Sequence, residues 1–187
     1  MAAALDDCQI PPYYAGNVVI NFRTYPIRVS SKKYTHPDTE QIIGEDEINK
    51  LYASGREPNI FYGNSGACYP DQWEISWPEV TINSGSTTPI REITTLTKLE
   101  RRVFTFSKQN LNDAIKDNLT HGNVFISLNF ANYIDVAVSG VSGDATVITP
   151  KLQKWLDYNF TLDKHDRPVS LKFLGTGPET DQMIVLK

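Results

Sequence analysis

What most constrains this chain is apolar residues returning at every second position. Val124, Ile126, Leu128 and Phe130 share one face of an extended segment over 122–130. Ile134, Val136 and Val138 share one face over 132–138. Side chains of a strand alternate between its two faces, so this spacing predicts strands with a buried side. Val18, Ile20 and Phe22 repeat the pattern, as do Tyr25, Ile27 and Val29, and Val169, Leu171 and Phe173. Shorter strands are predicted over Asn59–Tyr62, 72–76, 79–82, 90–96, 102–106 and 183–186. Residues 129–132 are few enough to close a hairpin or a bulged corner between the two strongest strands.

Helical spacing is rarer. EDEINKLYA, Glu45–Ala53, sets Ile48, Leu51 and Tyr52 on one stripe and stops at Gly55. Ser107 can cap KQNLNDAIKDNL, where Leu111, Ala114, Ile115 and Leu119 share a face. Pro150 can open a helix over 151–158 with Leu152, Trp155 and Leu156 inward. These helices do not alternate regularly with the strands, which argues against a parallel doubly wound sheet. The expected fold is all-β, a β-sandwich or jelly roll with two or three short inserted helices. The alternative is α+β with an antiparallel sheet. Residues 1–187 are expected to form a single β-rich domain, with 1–16 as an extended N-terminal arm.

The 187 residues are 40% hydrophobic and 21% charged, ordinary values for a globular domain. The net charge of −4 and the absence of a basic arm disfavour binding driven by nucleic-acid phosphates. The densest basic cluster, Lys98, Arg101 and Arg102, has Glu100 inside it and reads as a solvated face. No apolar run approaches the roughly 18–20 residues of a membrane span. The start MAAALDDCQIPP has no charged n-region and no long apolar core, so it is not an intact signal peptide; whether one was removed stays open.

Most chemistry would rest on GNSGACYPDQWEISWPEV. Gly66-Ala67-Cys68-Tyr69 resembles the core of the pattern around a papain-type nucleophile. In that family the Cys opens a long helix that lowers the thiol pKa. Here Pro70 follows two positions later, strand pattern comes next, and His36, His121 and His165 do not fall at the family's downstream spacing. Gly63-Asn64-Ser65-Gly66 resembles the serine-protease nucleophile string, but only His36 precedes it and no first barrel fits between them. Those four residues are also turn formers. A bridge between Cys8 and Cys68 is the favoured reading of the cysteines. It would close a loop of roughly 60 residues and stabilise by about 4 kcal/mol in the chain-entropy model.

On a strand, Trp73, Ile75 and Trp77 would point one way, usually into a core; one Trp could instead be a stacking platform for sugar rings. Tyr69, Asp71, Trp73 and Trp77 are therefore the candidate ligand-binding residues. Pro11-Pro12-Tyr13-Tyr14 is a PPxY segment suited to WW-type grooves if exposed. Asn118 and Asn159 head glycosylation sequons, which are common by chance. No metal-ligand spacing and no phosphate-binding Gly loop occurs. Asp163, Asp166 and Asp181 could contribute to a structural calcium site, and no other cofactor is expected. Glu74 and Asp135 are the strand carboxylates to check for hydrolase chemistry.

The function expected from these residues is a non-catalytic recognition module, carbohydrate-binding, lectin-like or adhesin-like. It would be secreted or on a particle surface and meet a glycan or a cell-surface receptor. The nine Tyr, the acidic balance and the missing catalytic signature favour it. VSLKFLGTGPETDQMIVLK also resembles the closing strands of many carbohydrate-binding modules. The alternative is a structural or attachment protein of a virus, phage or secretion particle, which would oligomerise. A hydrolase whose site is not readable from sequence is the third reading, so the chain leans away from being an enzyme.

Overall fold

A computed structural model describes residues 16–28, 32–62, 68–95, 100–119, 122–160 and 168–186. In chain order the strands are β1 Val18–Arg23, β2 Ile27–Arg28, β3 Lys32–Thr35, β4 Asn59–Tyr62, β5 Glu74–Ile75, β6 Arg102–Phe104, β7 Val124–Asn129, β8 Gly143–Asp144, β9 Val169–Gly175 and β10 Met183–Val185. The α-helices are α1 Glu45–Ala53, α2 Trp77–Ser84, α3 Lys108–Asn118 and α4 Pro150–Asn159. The chain falls into two compact units. One is drawn from Met1–Pro26, Tyr69–Ile90 and Val103–Lys187, the other from Ile27–Cys68 and Arg91–Arg102.

The larger unit is built on a sheet of order β1-β7-β9-β10-β8. β1 pairs with β7 in parallel, β7 with β9 in parallel, and β8 with β10 in parallel; only β9 and β10 are antiparallel. The fold is mixed α/β with a mainly parallel sheet, and the all-β sandwich, the jelly roll and the antiparallel α+β alternative are all corrected. The physical reason lies in β7. Val124, Ile126 and Leu128 are fully buried, as the alternation required, but Ser127 between them is buried too. A strand covered on both faces belongs to a parallel sheet with helical crossovers. β7, α4 and β9 form such a strand–helix–strand unit.

The strand expected over 132–138 does not form, and there is no hairpin. Phe130 turns left-handed at φ 66°, and two 3-10 turns follow, Ala131–Tyr133 and Val136–Val138. Ile134 and Val138 are buried while Val136 is exposed, so spacing four apart serves the core and spacing two apart does not. The strand expected over 79–82 is helix α2. Ser76 accepts the amide of Glu79 while Glu79 accepts the amide of Ser76, and Pro78 lies in the first turn. This capping box is written in the sequence as Ser-x-x-Glu. Of the strand expected over 90–96, the described residues 90–95 show an isolated bridge between Ile93 and Glu100. The segment expected over 72–76 shortens to β5, paired antiparallel with β6.

Helices α1, α3 and α4 form where the apolar stripes and caps put them. Ser107 accepts the amide of Asn110 and Thr149 that of Leu152, each closing a helix N-terminus. Leu111 and Ile115 of α3, and Leu152 and Leu156 of α4, are buried. Phe106 joins Phe22, Trp155 and Phe160 in a cluster with ring centroids 5.3–6.1 Å from its own. In the smaller unit β3 and β4 pair antiparallel. Its helix α1 buries Leu51 and ends before Gly55 at φ 74°. Among the described residues no helix is long and apolar enough to cross a membrane.

Candidate functional site

Three parallel strands of the larger unit end at one edge of its sheet. Arg23 of β1 stands opposite Asn129 of β7, and Gly175 of β9 follows Leu174, which is paired with Leu128. In open α/β sheets ligands bind in the crevice beyond these carboxyl ends, where side chains of the following loops converge. A cavity of about 460 Å³ lies there, lined by Asn129, Phe130, Asn132, Tyr133, Gly177 and Pro178.

The local sequence explains its shape. Thr24, wholly buried after β1, donates its amide to Asn129 O at 3.1 Å and its hydroxyl to Phe130 O at 2.7 Å. Phe130 sits in a left-handed conformation that costs a non-glycine residue roughly 1 kcal/mol. Such outliers persist where surrounding structure over-determines them. Its ring lies under the Arg23 guanidinium at 3.7 Å and beside Tyr133 at 5.0 Å. Gly175 leaves room for Asn129: a Cβ there would meet Asn129 Oδ1 at 2.6 Å. After β9, the buried hydroxyl of Thr176 donates to Val141 O at 2.7 Å, which anchors the Gly177-Pro178 turn. At Gly177 an added Cβ would run into Gln182 Oε1.

The lining is aromatic and amide, with no charged side chain among the six residues. Each Asn amide offers a donor beside an acceptor. The Oδ1 end of Asn132 is buried and has no hydrogen-bond partner in the protein. An orphaned buried amide end costs about 1–3 kcal/mol unless something supplies the missing partner. The cavity therefore suits a planar heterocycle with mixed donors and acceptors, and it lacks the lysines or arginines that would hold phosphates.

The residues singled out from sequence lie elsewhere or behind this wall. Asp71 and Trp73 line a second concavity of about 580 Å³ with Glu79, Lys108, Trp155 and Tyr158 among its walls. Trp73 is 63% exposed and Trp77 only 4%, so the two do not share a face as a strand would place them. Trp77 packs edge-on against Tyr133 at 6.2 Å, behind the first cavity. Tyr69 is half-buried and lines neither cavity.

Both carboxylates of the second concavity are committed to helix caps. Asp71 accepts the Ser107 hydroxyl at 2.6 Å and the Gln109 amide at 3.0 Å. Burial pushes the Asp71 carboxyl up, but the hydrogen bonds from Gln109, Ser107 and Lys108 outweigh it and leave the group below its ordinary range. The backbone and hydroxyl of Ser76 likewise hold Glu79 low. Tyr25 at the floor is pushed up by burial, partly countered by its bond with Asn83.

Cys68 is an exposed thiol rather than half of a bridge, which corrects the expected disulfide; Cys8 lies outside the described residues. So do the PPxY segment, residues 63–67, Asp163 and Asp166. Among the described residues no group of three or more His, Cys, Asp or Glu is placed to hold a metal. Asp135, checked as a hydrolase carboxylate, instead accepts the Ala137 amide and the Thr149 hydroxyl.

Sequence reasoning missed Asn129, Phe130, Asn132, Tyr133, Gly177 and Pro178. The signal was present as SLNFANY and LGTGP, polar and glycine residues at the carboxyl ends of buried strands. It becomes visible only once those strands are known to be parallel.

Comparison with known proteins points the same way. No family model matches the chain. It is 34% identical over 132 residues to the N6-succino-2-amino-2′-deoxyadenylate synthase of Acinetobacter phage SH-Ab 15497, covering 71% of this chain and 26% of that protein. It is 32% identical over 134 residues to the same enzyme of cyanophage S-2L, covering 71% of this chain and 27% of that protein. The chain thus spans about a quarter of the length of the curated relatives it matches. Among solved structures it is similar to the cyanophage S-2L succinoaminodeoxyadenylate synthetase (PurZ), bound to dGMP and to dATP as an energy donor. The TM-score is 0.56 at 27% identity, covering 97% of this chain and 37% of that one. These homologues are catalysts of nucleotide metabolism. They overturn the lectin-like, adhesin and virion-protein readings and the expected glycan or receptor partner.

Proposed function

We propose that the chain supplies a purine-binding part of a nucleotide-dependent synthase of the N6-succino-2-amino-2′-deoxyadenylate synthase kind. The observation that carries this is the cavity at the carboxyl ends of β1, β7 and β9, lined by Asn129 and Asn132 together with the Phe130 and Tyr133 rings, whose centroids lie 5.0 Å apart. The similarity to enzymes so named, one of them solved with dGMP and dATP, supports it. The rings give a base its apolar contact. The amides match the adjacent donor and acceptor of an adenine edge, the pairing that Asn makes with adenine elsewhere. No carboxylate lines the cavity to accept the two adjacent N–H donors of guanine, so the adenine of dATP fits better. The phosphates project out of the uncharged cavity and are held by other groups.

Titration calorimetry and thermal melting with dATP test this. Saturation at about 100 times Kd adds roughly 2.7 kcal/mol. That raises Tm by about 5–10 °C for a chain of this size. Asn132→Ala is expected to weaken dATP at least tenfold by removing one end of the base contact. No shift with millimolar dATP or dGMP would sink the reading.

A further inference from the structure

Phe130 and the carbonyl before it are held at three points by Arg23 and Thr24, at and just after the end of β1. Thr24 donates its amide to the preceding carbonyl, Asn129 O, at 3.1 Å and its hydroxyl to Phe130 O at 2.7 Å; the Arg23 guanidinium covers the ring at 3.7 Å. This grip falls on the residue that leaves the strand in a left-handed turn, φ 66° and ψ 39°. The turn sets where the chain goes next. With Phe130 extended, β7 would continue, and side chains of 129 and 131 would share a face. With Phe130 left-handed, the strand stops and a 3-10 turn begins at Ala131. Asn129 and Asn132 then line one cavity together with the Phe130 ring. The Tyr133 amide donates to Phe130 O at 3.0 Å, so that carbonyl ties the turn to the buried Thr24 hydroxyl.

We infer that Thr24 is a positioning residue of the base site: its buried hydroxyl locks Phe130 left-handed and so sets the spacing of the Asn129 and Asn132 amides. Thr24 does not line the cavity, so it acts through Phe130 and not on a ligand. The inference rests on the purine-binding reading, and its test separates the two. Thr24→Val keeps the shape of the side chain and removes the hydroxyl; Thr24→Ser restores it.

Two readouts apply to the whole chain. Without ligand, the side-chain NH₂ resonances of Asn129 and Asn132 are followed by ¹⁵N NMR. With ligand, Kd for dATP and for dGTP is measured by calorimetry. Thr24→Val is expected to shift or broaden both amide pairs, weaken dATP about tenfold, and narrow the dATP-over-dGTP preference. Thr24→Ser is expected to restore all three. A merely structural role would lower thermal stability and leave the base preference alone. Unmoved amide resonances in Thr24→Val overturn the lock whatever binds. Moved resonances with an unchanged dATP Kd and base preference overturn its role in the site. A wild-type chain that binds no dATP while Thr24→Val moves the resonances overturns the purine reading and keeps the lock.

Discussion

At the residue scale, single polar atoms decide what is buried and what is fixed. Asp71 illustrates this. Its carboxylate serves the first turn of α3 through Ser107 and Gln109. Asp71→Asn is expected to cost about 1 kcal/mol at pH 7, the worth of a carboxylate at a helix N-terminus. Because the folded pKa lies below the unfolded one, that contribution is full above the unfolded value and lost as pH falls through the folded value. Urea unfolding of wild type and variant should therefore differ at pH 7, with the gap shrinking progressively as pH falls below about 4. An equal gap at pH 7 and pH 3 would mean that the charge does not matter. Gly175 makes a second case. Gly175→Ala places a methyl 2.6 Å from Asn129 Oδ1, so the amide must turn away. Loss of dATP binding with little change in Tm is the expected result, read by calorimetry and melting.

At the element scale, caps outweigh alternation. Trp77, Val80 and Ser84 of α2 are buried at helical spacing, yet WEISWPEV also satisfies a strand's every-second-residue rule up to Pro78. The Ser76–Glu79 box resolves the ambiguity by satisfying backbone groups that a strand would pair across a ladder. Ser76→Ala is expected to destabilise by about 1 kcal/mol, measured by denaturant midpoint at constant slope. A change within about 0.3 kcal/mol would show that the box is redundant with the packing of Trp77. The cap of α3 was legible because Ser107 precedes a clean apolar stripe, while for α4 only Pro150 was read as the opening and the Thr149 cap was not. The cap of α2 was as plain in the sequence, but the Trp-Ile-Trp alternation before it drew the strand reading.

At the scale of the whole molecule, stability concentrates in β7. It is the strand paired in parallel on both sides, and Val124, Ile126 and Leu128 are sealed from solvent. Leu128→Ala should cost about 2–5 kcal/mol, since the cavity left inside a parallel sheet cannot easily collapse. Amide exchange should be slowest in β7 and follow global unfolding. The β3–β4 ladder of the smaller unit should exchange faster, because a lone two-stranded pair carries little stability of its own. Equal protection in both places would contradict this ranking.

What the sequence determined by itself was local: where most strands and three of the helices lie, which face of each helix is apolar, and where the Ser107 cap, the Pro150 start and the Gly55 stop fall. Those properties depend on residue spacing and on side chains reaching backbone a few positions away. Tertiary structure alone decided that β1, β7 and β9 run in parallel, because direction is set by long-range pairing that an alternating pattern does not encode. The cavity lined by Asn129, Phe130, Asn132 and Tyr133 went with that decision. Arg23, Thr24, Asn129, Phe130 and Gly177 are scattered over most of the chain, and only three parallel carboxyl ends bring them to one edge.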